Sequence, residues 1–143
     1  MTDIETRADC ERLVRAFYGR AMTDEIIGFI FTDVAQLDLE PHVPRITSFW
    51  ETVLLGAKTY SGGAFGLHAE LHEKVRLQRG HFARWLGLWE QSVDELFAGP
   101  IADEAKRHAV RVAYAFHGRL QTLTPPPADP EGPPAIDVIR YST

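Results

Sequence analysis

Six histidines and a set of aromatics at helical spacing are where this sequence could do chemistry. His42 precedes Ile46 by one helical turn and Phe49 by two, so the three share a face and an imidazole stands at the edge of an apolar wall. Tyr18 follows Phe17 on a similar stripe. A buried phenol needs a hydrogen-bond partner, and a backbone carbonyl would serve as well as a ligand. Trp85 poses the same choice, since its indole N–H must donate if buried, yet a large aromatic at helical spacing is ordinarily core. His68, His72, His81, His108 and His117 each read first as surface or satisfied core histidines. The stretch His68-Ala69-Glu70-Leu71-His72 puts two imidazoles on one helical face, as a metal site would. A zinc-protease helix needs Glu directly after the first His, where this chain has Ala69. No cysteine cluster or evident third ligand accompanies the pair, and even a catalytic zinc site takes three protein ligands. Inorganic zinc is therefore set aside.

Helices are the elements that must position these groups. Leu13, Val14, Phe17, Tyr18 and Ala21 form one stripe of a helix whose start is expected near Thr2–Asp3. Ile26 to Phe31, interrupted by Gly28, reads as turn-like. A second helix starts near Pro41 and carries Val43, Ile46, Phe49, Trp50, Val53 and Leu54 to a stop at Gly56. Tyr60 to Ala64 reads as loop, and Phe65 to Leu77 has room only for a short or irregular helix. Phe82, Trp85, Leu86, Trp89, Val93, Leu96 and Phe97 trace a long helix ended by Gly99-Pro100, and a last helix is expected from about Asp103 to Leu123. Strand-like alternation is nowhere sustained, so the class is all-α.

The chain has 143 residues, enough for one domain with one core. That domain is expected over 1–123; the Pro-rich tail, 124–143, contains PPPADPEGPP and is expected to be mostly disordered. The net charge of −5, with both signs interleaved, speaks against nucleic acid as a partner. No apolar run approaches the roughly 20 residues that span a bilayer, so no membrane is expected. The N-terminus is polar and acidic without a signal-peptide pattern, and Cys10 is the single cysteine; together these suggest a cytoplasmic protein.

Taken in order, the chemistry-bearing pieces form a longer pattern. Phe17-Tyr18 comes first, then Ile27-Gly28-Phe29-Ile30-Phe31, then His42-Val43-Pro44-Arg45-Ile46-Thr47-Ser48-Phe49-Trp50. Leu54-Leu55-Gly56, Tyr60-Ser61-Gly62, His68 and His81-Phe82-Ala83-Arg84-Trp85-Leu86 follow. This string resembles the truncated haemoglobins, and among them the third group, over nearly all of residues 8–120. The departures are the Pro-rich tail and Pro44 in the first turn of the second helix, and neither touches a residue the resemblance assigns to ligand binding.

The resemblance implies a small bacterial protein with a truncated globin fold, a 2-over-2 helical sandwich around haem b. It implies that His68 is the proximal iron ligand, its second ring nitrogen donating to a carbonyl or water. Phe31 would wedge against the haem face, with Phe49 and Phe82 also in contact, and Arg45 would pair with a propionate. Tyr18, His42, Ile46 and Trp85 would form the distal pocket, where hydroxyl and indole donors stabilise bound dioxygen more than carbon monoxide. The partner implied is dioxygen or another diatomic gas, held by a monomer or weak dimer. The alternative is a haem redox enzyme, a nitric oxide dioxygenase or a peroxidase-like catalyst, served by a separate reductase. A haem-free helical interaction module is the third reading, and the absence of a Soret band would mark it.

Overall fold

A computed structural model describes residues 1–60, 62 and 77–123, with side chains through 120. Four α-helices carry the structure: α1 (Arg7–Ala21), α2 (Val43–Leu55), α3 (Arg79–Leu96) and α4 (Pro100–Leu123). A π-helical turn, Ile30–Val34, and a 3-10 turn, Glu40–His42, lie between α1 and α2. No strand occurs among the described residues.

α1 starts later than Thr2–Asp3, because the local capping chemistry sits at Thr6. The Thr6 hydroxyl accepts from Asp9 N at 3.2 Å and the Asp9 carboxylate accepts from Thr6 N at 3.1 Å, a reciprocal box that fixes Arg7 as the first helical residue. Asp3 is a capping residue too, but for another helix. Its carboxylate accepts from Ile101 N at 2.9 Å and Ala102 N at 2.8 Å, the orphan donors of the α4 N-terminus. That is why α4 begins at Pro100 and not near Asp103: proline suits the first turn, and Asp3 satisfies the next two N–H groups. Gly99 lets the two approach, since a Cβ there would lie 2.5 Å from the Asp3 carboxyl carbon, at a φ of +144°.

α2 runs uninterrupted past Pro44, whose missing N–H falls in the first turn where no intrahelical bond is lost. It stops at Gly56 in the left-handed region, φ 74°. The segment between α1 and α2 is tighter than a plain turn. Asp24 accepts from Ile26 N at 2.9 Å and Ile27 N at 3.0 Å, and the π-turn closes with Ala35 N donating to Ile30 O at 2.8 Å.

α1 pairs with α2 and α3 pairs with α4, and across the two pairs α1 packs on α3 and α2 on α4. α1 buries Cys10, Leu13, Val14, Phe17 and Ala21, three to four residues apart. α4 meets the core through Ala102, Ala105, Ala109 and Ala113, small residues that allow close helix approach, then through Phe116 and Leu120. Arg20 of α1 bonds Ser92 and Glu95 of α3 at the seam between the pairs. No helix among the described residues is long and apolar enough to cross a membrane. The expected short helix, most of 65–77, and the tail from 124 lie outside the described residues.

Candidate functional site

The two helix pairs do not close on each other everywhere. Between α1, the π-turn, α2, α3 and α4 they leave a cavity of about 330 Å³. Tyr18 on α1 and Phe31 on the π-turn line it together, their rings edge to face at 5.7 Å. His42 enters from the end of the 3-10 turn and Arg45, Ile46 and Phe49 from α2, spaced as one helical face plus its border. Phe82 and Trp85 enter from α3. Every site residue named from the sequence therefore reaches this one cavity, except His68, which lies outside the described residues, as does His72. No cluster of three or more potential metal ligands occurs among the described residues.

Aromatic packing makes the wall rigid. Phe17 touches Tyr18, Trp85 and Trp89 edge to face at 5.0 to 5.5 Å. Behind it the indoles of Trp50, Trp89 and Trp85 form one stack, with centroids 4.3 Å and 6.0 Å apart and the last pair within 5° of parallel. Trp89, at its centre, donates its N–H to Ala105 O at 3.2 Å.

The polar groups of the cavity are few and underused. The Tyr18 hydroxyl and the Trp85 indole N–H make no hydrogen bond to any described residue. Burial pushes the Tyr18 phenol up to about 12, so it stays protonated and able to donate. A hydroxyl and an indole N–H that face a cavity without a protein partner are free to donate to water or to a bound molecule. No Asp or Glu among the described residues lines the cavity, although the chain has more acidic than basic residues. Arg45 is exposed at its border and, like Arg12 and Arg79, makes no ion pair with a described residue, whereas Arg7, Arg15, Arg20, Arg84, Arg107 and Arg111 are paired with carboxylates. An apolar cavity with donors and a guanidinium that no described residue engages suits a largely apolar molecule that carries some negative charge.

No protein-family model and no curated protein matches the chain. Among solved structures it is similar to the crystal structure of group III truncated hemoglobin from Campylobacter jejuni. The TM-score is 0.72 at 23% identity, over 87% of this chain and 98% of that one. The fold is that of a truncated haemoglobin. The truncated-globin frame accounts for the pairing of α1 with α2 and α3 with α4 around a central cavity.

Three groups close to the cavity were not singled out as site residues by the sequence. Tyr60 lines it beyond Phe49, with the rings 5.1 Å apart. His108 of α4 stands 5.9 Å from both the Phe49 and Trp50 rings, and burial, aided by Arg111, holds its pKa below the usual histidine value. His81 also lines the cavity, partly exposed, with the Phe29 ring 6.3 Å away. His81 stands in the His81-Phe82 stretch of the sequence pattern, but nothing in that pattern separates a cavity histidine from a surface one.

Proposed function

We propose that this chain is a haem protein whose iron binds dioxygen and other diatomic ligands. The observation that carries the reading is the cavity: apolar, with no carboxylate among its described lining residues, bordered by Arg45, which pairs with no described residue, and supplied with two hydrogen-bond donors from which no described residue accepts. Its place in a truncated-haemoglobin fold supports haem as the occupant.

In this reading His68 holds the iron from the proximal side. Phe31, Phe49 and Phe82 bear on the ring, and Arg45 pairs with a propionate. Haem supplies the open coordination position at which a gas molecule sits. The chain supplies the surroundings of that position. Tyr18 and Trp85 donate towards the gas, His42 and Ile46 set the polarity and width of the distal space, and the aromatic walls exclude water. A donor there favours dioxygen over carbon monoxide, because bound dioxygen draws more negative charge.

The test is reconstitution of the full chain with haem, followed by stopped-flow measurement of dioxygen dissociation beside nitric oxide consumption. A Soret band with reversible dioxygen binding supports the reading. No stoichiometric haem uptake would overturn it, and rapid nitric oxide turnover with an added reductase would move the protein to the redox class.

A further inference from the structure

His81 is held by a hydrogen bond that decides its chemistry. Gln78, the N-cap of α3, has extended backbone (φ −100°, ψ 163°), which aims its N–H back over the first turn. That N–H donates to His81 Nδ1 at 2.9 Å. A ring nitrogen that accepts a hydrogen bond keeps its lone pair, so the imidazole carries its proton on Nε2. Neither nitrogen is then available to a metal while the bond stands: Nδ1 is engaged and Nε2 is protonated. What His81 offers the cavity is a fixed N–H donor.

We propose that His81 Nε2–H binds a carboxylate of the cavity's occupant, as a second anchor beside Arg45. The inference rests on the haem reading, and it adds a named donor and a named group on the ligand. Three observations carry it. His81 lines the cavity and is partly exposed, as a group meeting the ionised edge of a half-buried ligand must be. The tautomer is set by the protein before any ligand arrives, so little ordering is required on binding. No Asp or Glu among the described residues lines the cavity to compete for the donor, and no described residue accepts from Nε2. The Phe29 ring against the imidazole restrains it from a second side.

The experiment compares two ligands that differ only in their carboxylates: protohaem, and protohaem dimethyl ester, in which both are blocked. Each is loaded onto the full chain, and its loss to excess apomyoglobin is followed in the Soret region. His81→Ala should speed protohaem loss by about threefold to tenfold, the range for one net hydrogen bond at a partly exposed site. It should leave loss of the ester within about twofold of the parent protein. Arg45→Ala should show the same selectivity. His81→Gln restores an acceptor for Gln78 N–H together with an amide donor, and should return protohaem loss towards the parent rate. Equal acceleration of both ligands in His81→Ala would mean that only the helix cap was damaged, and would overturn the proposal. So would unchanged loss of both. A parent chain that takes up neither ligand would sink the haem reading itself, and this inference with it.

Discussion

Tyr18 and Trp85 each bring one donor to the same apolar space, and neither is satisfied within the described residues. If both serve one gas ligand, Tyr18→Phe and Trp85→Phe should each speed dioxygen release, by up to about tenfold for a net bond of roughly 1–1.5 kcal/mol. The double variant should depart from the product of the two, because one donor can reorient when the other is lost. Carbon monoxide release should move less, and parallel dissociation rates for both gases check the point. His68→Ala should abolish stable haem retention or leave a protein rescued by added imidazole, read from the ferrous spectrum. A normal five-coordinate ferrous spectrum in that variant would exclude His68 as the ligand. At this scale the sequence was partly legible. His42, Ile46 and Phe49 announce themselves by helical period, since a shared face needs only spacing. Tyr18 does not, because periodicity says that a phenol is buried and not whether a carbonyl or a cavity faces it. His81 stood in the sequence pattern, but its role did not, because its tautomer depends on the extended backbone of Gln78, which no residue type dictates.

Helix boundaries show how far local reasoning reaches. An Asp near the N-terminus was read as the start of the nearest helix, and the chemistry was right but the helix was wrong: Asp3 caps α4, almost the whole domain away in sequence. Capping is a property of the side chain, whereas its target is a property of the fold. Gly99→Ala should therefore cost about 1–3 kcal/mol, because the new methyl meets Asp3 at a φ that side chains rarely adopt. Asp3→Ala should cost about 1 kcal/mol through the lost cap, and combining the two should give less than their sum, as denaturant melts would show. Asp24 gives the acid limb of stability. The Arg84 guanidinium, with backbone donors Ile26 and Ile27, holds its carboxyl down at about 2, against an ordinary value of 3.8. A depressed acid contributes stability that is full above its unfolded value and lost as pH falls through the folded one. Melting temperature should thus drop between about pH 4 and pH 2, and Asp24→Asn should flatten part of that drop while costing about 1 kcal/mol near neutrality through the weakened turn.

As a whole the molecule keeps a truncated-globin arrangement at 23% identity to a structure of that fold, which is possible because helix pairs need complementary apolar faces more than particular residues. The all-α class was legible for that reason, since three- and four-residue spacing is a direct image of burial. Residues 124–143 should be dispensable to the site on composition alone, because a proline-dense stretch contributes few backbone hydrogen bonds to a core. A chain ending at residue 123 should keep the haem spectrum and the dioxygen release rate of the full chain, and large haem loss would show the contrary. The stacked indoles have an optical consequence. Trp50, Trp85 and Trp89 are the chain's only tryptophans, and all three line the cavity, so the tryptophan fluorescence of the protein comes from its wall and nowhere else. Haem absorbs where indoles emit, and at such close range it should extinguish the emission of all three nearly completely. Titrating haem into the apo chain should give a linear fall to near darkness, with a break at one equivalent. A bright residual signal at saturation would place the ligand outside the cavity.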